Sequence, residues 1–370
     1  MTLKYYKEDP LLTHIIINLL SLSFVYQCLI WIFVYIKADH QKKPVKWDIN
    51  FTPVSIIVCS RNNLEELNKN LHTLLNQIYP EFEVIVLNDG SDLNTQKFIS
   101  SLQKLHSNLR IINHIKTSPG KKLALQEGIL ASQHNWILLT DADCRPASEF
   151  WIQSMMKSRQ KNTLIVLGYA PYSKTKGLLN LFIQFEAKLN AIQYLSAATM
   201  GFPYMGIGRN LMYHKSIFNL DKMKLSHASG DDDLLINAQS NKYNTECCLD
   251  QEAFVYTTAE TSWTDYFTQR TRHYSASKYY SPFSKFYLTL NILSLIFLYT
   301  SLIFLLFQSI YILTLVCYIT HITIACLVLS KLNKTFSNKD IILNYVILEI
   351  IYLLFILFQL PFLFTNKKSW

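Results

Sequence analysis

The chain has no cysteine spacing suited to a metal knuckle, no internal repeat, no low-complexity linker and no recognised nucleic-acid-binding motif. Its seven cysteines are scattered, and the one adjacent pair, Cys247-Cys248, is not zinc spacing, so all read as reduced thiols. The ten histidines are dispersed, and no Ser-His-Asp or Cys-His arrangement stands out for nucleophilic catalysis. Gly120-Lys121-Lys122 lacks the earlier glycine of a P-loop, which removes the support for ATPase chemistry. Charge is also scarce. Only 16% of the 370 residues are Asp, Glu, Lys or Arg, against 50% hydrophobic with 22 Phe and 22 Tyr. That is too apolar for one soluble domain of this length.

The apolar excess is concentrated at the two ends. Leu11 to Ile36 is nearly uncharged and longer than the ~20 residues that span a bilayer. Its apolar stretch is too long for a signal peptide and no small-residue cleavage site follows, so a retained anchor is expected. Three further runs, Tyr287–Phe307, Ile310–Leu329 and Ile341–Phe364, predict three more spans. The organisation expected is an anchor over residues 1–36, a polar domain over 37–285 and a three-helix membrane region over 286–370. Lys37, Lys42, Lys43 and Lys46, with Lys331, Lys334 and Lys339 between the last two spans, place the middle domain on the cytoplasmic side of a multi-pass cell-membrane protein. Lys367 and Lys368 would then lie outside, against the rule. The net charge of +9 is explained by a surface facing anionic membrane lipid, and no nucleic-acid partner is expected. Glu349, inside the last run, is expected to face other spans, because a lipid-facing charge would cost ~3 kcal/mol.

In the middle domain, strand-like and helical segments alternate. Val54–Cys59, Phe82–Leu87, Arg110–Asn113, Trp136–Thr140 and Leu164–Gly168 are short apolar runs of the kind buried on both faces of a sheet. Helical spacing fills the gaps: Leu64 to Ile78 before Pro80, a stretch reaching Leu105, and Lys121–Ser132. The fold class is therefore α/β, a mostly parallel sheet with helices on both faces, plus transmembrane helices. Gly177–Ser196 is an amphipathic helix that fits either the membrane surface or the sheet. Met205 to Asn210 reads as a glycine-marked turn, and Trp263–Tyr280 as a helix leading to the second span.

Acidic residues follow these strands. Ligands of an open parallel sheet sit beyond the carboxyl ends of its strands, so carboxylates there suit a divalent metal and phosphates. Asp141 and Asp143 stand two apart after Trp136–Thr140, pointing the same way, and would suit Mg²⁺ or Mn²⁺. Asp89, after Phe82–Leu87, is placed to bond a base or a ribose hydroxyl, although Asn88-Asp89-Gly90 is also an ordinary turn. Ser60, Arg61 and Asn62 end the first strand. Lys121 and Lys122 open a helix, where phosphate is favoured, but alone they read as a solvated pair. Asp231, Asp232 and Asp233 precede an apolar run, as a general base or simply as acids at a helix N-terminus. Gln269 and Arg272 share a helical face, with Arg272 suited to a diphosphate or to lipid headgroups.

In order and separation these motifs resemble the family-two glycosyltransferases of GT-A fold, in particular membrane-bound relatives of cellulose and hyaluronan synthases. The resemblance runs from Pro53 to about Tyr280. Asn88-Asp89-Gly90-Ser91 is similar to the family's Asp-Asp-Gly-Ser, and Thr140-Asp141-Ala142-Asp143 to its metal and diphosphate motif. Gly230-Asp231 is similar to its acidic pair, and Gln269-Arg270-Thr271-Arg272-His273 to Gln-x-x-Arg-Trp. The resemblance implies an inverting, metal-dependent transfer of sugar from a nucleotide-diphospho-sugar to a lipid-linked or saccharide acceptor. Ser60, Arg61, Asn62, Asp89, Lys121, Lys122 and Asp141 would bind the donor, and Asp143 with Asp141 the metal. Asp231, with Asp232 beside it, would supply the base, and Arg272 with Gln269 would assist the leaving diphosphate. Three departures stand out: Asn88 for the first aspartate, Gly230 for glutamate, and His273 for the tryptophan that helps hold acceptor in polymerising members. The alternatives are a processive polysaccharide synthase or a non-catalytic nucleotide-sugar-binding module.

Overall fold

The computed structural model describes residues 10–40, 52–115, 121–219, 230–336 and 338–362. The basic residues Lys4, Lys7, Lys42, Lys43, Lys46, Lys367 and Lys368 lie outside the described residues, as does Gly120. The chain forms two compact units: Met1–Ile36 with Pro282–Leu357, and Lys37–Ser281 with Phe358–Trp370.

After helix α1 (Pro10–Leu29), the elements run β1 (Val54–Ser60), α2 (Leu64–Leu75), β2 (Phe82–Asp89), α3 (Leu93–Gln103), β3 (Leu109–His114), α4 (Lys122–Ala131) and β4 (Trp136–Asp141). Next come β5 (Arg145–Pro146), α5 (Trp151–Lys157), β6 (Ile165–Leu167), α6 (Leu178–Thr199), β7 (Leu211–His214), α7 (Asp231–Gln239), β8 (Thr245–Cys247), β9 (Val255–Tyr256) and α8 (Trp263–Tyr274). The last helices are α9 (Pro282–Phe307), α10 (Tyr311–Leu332), α11 (Lys339–Leu343) and α12 (Tyr345–Gln359).

The α/β unit is built on a seven-stranded sheet of order β3-β2-β1-β4-β7-β6-β8, with β5 and β9 as a small second sheet. β3, β2, β1 and β4 are parallel neighbours, whereas β7 runs antiparallel to both β4 and β6. The parallel strands are apolar on both faces because helices cover both. On one side Leu67, Leu71, Leu74 and Leu75 of α2 pack onto Val54, Ile56 and Val58. Each such side chain contributes ~1.5–3 kcal/mol when fully buried. α2 stops at Leu75, where the Asn76 amide bonds the His72 carbonyl, so Ile78 lies beyond the helix and is exposed.

α6 packs within the α/β unit rather than presenting an amphipathic face. Fifteen of its 22 residues are buried, and the Tyr194 hydroxyl donates to the Gly168 carbonyl at 2.6 Å. Two of its buried residues are charged, Glu186 and Lys188, each 1% exposed. The Lys188 ammonium has no hydrogen-bond partner, and burial lowers its pKa to about 8. The folded-state pKa thus lies below the unfolded value of 10.5, so the cost is full below pH 8 and vanishes as pH rises past the unfolded pKa. At ~1.36 kcal/mol per pKa unit this is about 3 kcal/mol at pH 7. Lys188→Met is expected to raise the melting temperature of the full chain by several degrees at pH 7, with the gain shrinking toward pH 10. A lower melting temperature at pH 7 would show that the ammonium has a compensating partner.

The other unit contains helices long and apolar enough to cross a membrane; among the described residues there are four, Pro10–Lys37, Pro282–Phe307, Tyr311–Leu332 and Tyr345–Phe362. The last differs from the single run expected over Ile341–Phe364. It is broken at Asn344, whose side-chain amide and backbone N–H both bond the Asp340 carbonyl. Polar side chains join the helices, as they do where apolar packing alone gives little driving force. Gln27 of α1 donates to Ser294 of α9 at 2.8 Å, and Tyr26 donates to Asn291 at 3.1 Å. Glu349 of α12 meets Tyr299 of α9 at 2.5 Å, His321 of α10 at 3.0 Å and Tyr345 of its own helix at 2.6 Å, and it is buried.

Candidate active site

The sheet register sets the site. Cys59 pairs with Leu87 on one side and Asp141 on the other, and Ser60 pairs with Asn88. The carboxyl ends of β1, β2 and β4 are therefore level, which brings Ser60, Asp89 and Asp141 to one edge. Ser60 and Asp89 are buried there, while Arg61 and Asn62 are exposed. Asn62 adopts a left-handed φ of 55° that carries the chain across the end of β2. Its amide donates to the Ser91 hydroxyl at 3.1 Å, and its side-chain oxygen accepts from the Asp92 amide at 2.9 Å. The loops after β1 and β2 are thus tied together. The Asn88 side chain is used within the sheet edge, accepting from the Ser91 amide and donating to the Asn113 side-chain oxygen.

Asp141, Asp143 and Cys144 place ligand atoms within 4.8 Å of one another, and this is the one such group of acids, histidines and cysteines among the described residues. Asp143 accepts from the Thr257 hydroxyl at 2.8 Å and from the Cys144 thiol at 3.3 Å. Burial, then Asp143 and Asp141, push that thiol well above its usual pKa, so it remains protonated. Two fixed carboxylates beside a neutral thiol fit a hard divalent cation such as Mg²⁺ or Mn²⁺ better than a soft one.

Cations enclose these acids. Lys121 bonds Asp141 at 2.9 Å. Burial would push the Asp141 carboxyl up, but Lys121, by charge and hydrogen bond, with Arg209 and Arg272, holds it below the usual carboxylate range. The pair Lys121-Lys122 is therefore not solvated. One lysine is ion-paired, and Lys122 is buried at the first position of α4. Arg209 stacks over Tyr172 at 4.6 Å and bonds the Ala170 carbonyl. It was not singled out in the sequence, where it is one residue of a glycine-marked turn. β7 delivers it: Leu211 pairs with Leu139, so the turn before β7 lies beside the end of β4.

Arg272 enters from α8 and acts electrostatically on both Asp141 and Glu260. Gln269, on the same helix, donates to Glu260 at 2.9 Å. Glu260, also unmarked in the sequence, has its pKa raised by burial and by Asp265 and Asp143, with Arg272 opposing. His273 is exposed, yet the surrounding protein and then Arg270, Arg272, Arg209 and Lys121 hold its imidazole well below the usual value.

The acidic run starts α7 after Gly230, whose φ of 77° favours glycine. The Asp231 side chain lies outside what the structure describes. The Asp232 carboxylate packs on Gly208, where an added Cβ would fall 1.6 Å from its Oδ2. Asp233 turns away to bond Tyr280.

The model of glycosyl transferase family 2 matches residues 55–230. A poly-beta-1,6-N-acetyl-D-glucosamine synthase of Staphylococcus epidermidis is 30% identical over 108 residues, covering 29% of this chain and 24% of the relative. A beta-monoglucosyldiacylglycerol synthase of Trichormus variabilis is 28% identical over 119 residues, covering 31% and 25%. The chain thus spans about a quarter of the length of these curated relatives. In fold it is similar to a mannosyltransferase of Pyrobaculum calidifontis solved with GDP-Man and Mn²⁺, at TM-score 0.58 and 15% identity, over 93% of this chain and 99% of that one. The matched segment holds β1, β2 and β4 with their strand-end carboxylates, in a GT-A fold. Residues 55–230 of the chain thus match a glycosyl transferase family 2 domain.

Proposed function

We propose that the protein transfers a sugar from a nucleotide-diphospho-sugar to a membrane-associated or saccharide acceptor, with inversion at the anomeric carbon. The observation that carries this reading is the pair of carboxylates after β4, Asp143 bonded by Thr257 and Cys144 and Asp141 by Lys121, with the charges of Arg209 and Arg272 acting on Asp141. Asp143 and Asp141 would hold Mg²⁺ or Mn²⁺, which neutralises charge on the departing diphosphate. The same cation class accompanies GDP-Man in the similar mannosyltransferase. Ser60, Arg61, Asn62 and Asp89 line the edge that receives the nucleoside. Lys121, released from Asp141, and Lys122 sit on the phosphate side. Arg272, oriented with Gln269, steadies the leaving group. Asp231, with Asp232 adjacent, takes the acceptor hydroxyl proton as that oxygen attacks. A single displacement follows, so the anomeric configuration inverts.

The names of two relatives, one making a polysaccharide and one a glycolipid, support an acceptor at the membrane. His273 in place of tryptophan favours addition of one sugar over polymerisation. The test is the stereochemistry of the product: the anomeric proton coupling in a product made by the purified full chain should show the configuration opposite to the donor's. Retention would exclude direct displacement.

The basic clusters Lys37 to Lys46, after the first span, and Lys331 to Lys339, between the last two, support a cytoplasmic position for the α/β unit. Single cysteines introduced on the exposed surface of that unit are expected to resist a membrane-impermeant thiol reagent in intact cells and to react after permeabilisation. Efficient labelling of intact cells would reverse the topology.

A further inference from the structure

Arg272 acts electrostatically on Asp141 and Glu260 from α8, so its effect depends on the rotational setting of that helix. Tyr266, Arg270 and Tyr274 follow one another at intervals of four, so they form one stripe along α8. All three converge on a single carboxylate of α6. Glu186 accepts from the Tyr266 hydroxyl at 2.5 Å and the Tyr274 hydroxyl at 2.6 Å, and pairs with Arg270 at 2.5 Å. Asn190 supplies a further hydrogen bond at 2.9 Å. Glu186 is 1% exposed, and α6 is itself fixed to the sheet through Tyr194 and Gly168. Gln269 and Arg272 lie off this stripe on α8; Gln269 bonds Glu260, and the charge of Arg272 acts on Asp141.

We propose that Glu186 is a positioning residue for sugar transfer: its buried carboxylate pins α8 to α6 at three points, and thereby directs Arg272 at the donor's diphosphate. The inference rests on the sugar-transfer reading above. A charge-assisted pair with three further hydrogen bonds leaves the carboxylate fully used, which suits an anchor and not a group that exchanges protons during turnover. Its charge has a second consequence. Without it, Arg270, whose side chain is only 16% exposed, would be an uncompensated cation two residues from Arg272, and the α8 end would move to relieve it. A displacement of ~1 Å at a group that meets the transition state costs roughly 100-fold in rate. Glu186→Gln keeps the size and part of the hydrogen bonding while removing the charge.

The experiment uses the full chain in detergent with Mn²⁺, and reads release of nucleoside diphosphate from whichever of UDP-glucose, UDP-N-acetylglucosamine and GDP-mannose the wild type turns over. Glu186→Gln, Arg272→Ala and the double variant are compared in kcat and in donor KM. Glu186→Gln is expected to lower kcat by about 10–100-fold, with a smaller change in KM. In the Arg272→Ala background the same substitution should cost less than about 2-fold, because the group it positions is already gone. A neutral Glu186→Gln, or one whose loss multiplies in full with Arg272→Ala, overturns the proposal. Should Glu186→Gln fail to fold by circular dichroism, Tyr274→Phe decides. A several-fold loss confined to the Arg272-containing protein supports the anchor, and equal losses in both backgrounds reject it. A wild type that turns over none of these donors overturns the sugar-transfer reading and this inference together. An active wild type with additive variants overturns this inference alone.

Discussion

Asp143→Asn is expected to abolish Mn²⁺- or Mg²⁺-dependent turnover while leaving the fold intact. The substitution removes one of only two carboxylates held within 4.8 Å of each other beside a protonated thiol. The amide oxygen still accepts one of the two hydrogen bonds that reach Asp143 from Thr257 and Cys144, so the loop after β4 keeps a tether. Metal neutralisation of a leaving group is worth several kcal/mol, which corresponds to a loss of at least about 100-fold. Titration of Mn²⁺ in the presence of nucleoside diphosphate should show weakened binding in parallel, giving a readout that does not depend on turnover. Near-normal activity in this variant would end the assignment of a metal to these residues. Thr257→Val offers a milder check on the same geometry, because it removes a hydrogen bond and no charge.

The second large effect is expected at the start of α7. Asp231→Asn keeps the size of the side chain but cannot take a proton, and loss of a general base costs ~10²–10⁴-fold in rate. Donor affinity should change little, since the strand-end carboxylates and the nucleoside edge lie elsewhere. Asp232→Asn supplies the contrast and should retain far more activity. Its carboxylate is committed to packing against Gly208, next to Arg209, and its loss should loosen that turn instead of stopping proton transfer. Asp233 bonds Tyr280 and is not a candidate base. A dead Asp232→Asn enzyme beside an active Asp231→Asn one would shift the register of the acidic motif by one residue. If neither variant matters, the base lies outside this run.

Much of the α/β unit is readable from the sequence because its first strands are buried on both faces. Val54 to Cys59 and Phe82 to Leu87 are runs that no exposed segment would carry, and each was extended by only one or two residues in the fold. The strand-end acids follow directly from those boundaries. β7 and β8 were not legible. They are four and three residues long, and β7 gains its place only by pairing with β4 and β6. Arg209 was missed for the same reason, since its proximity to Asp141 is a consequence of that antiparallel insertion.

Glu186 and Lys188 show a different limit. The amphipathic pattern of Gly177–Ser196 fits either the membrane surface or the sheet and does not single out these two charges, yet both are buried. What makes Glu186 tolerable is a set of partners about 80 residues further on, which no local pattern records. Lys121 likewise reads as a solvated or phosphate-binding lysine until the fold sets it on Asp141. In the apolar helices, length and hydropathy are legible but the break at Asn344 is not. An asparagine inside an apolar run carries no signal until its amide is seen to bond Asp340.

The most direct test of the account is a donor screen on the purified full chain with Mn²⁺, measuring nucleoside diphosphate released from a panel of nucleotide-diphospho-sugars with membrane lipid extract as acceptor. The account predicts diphosphate release from at least one donor, matched by label appearing in the acceptor, and abolished by chelation of the metal. Absence of release across the panel, or release that survives chelation unchanged, would contradict it.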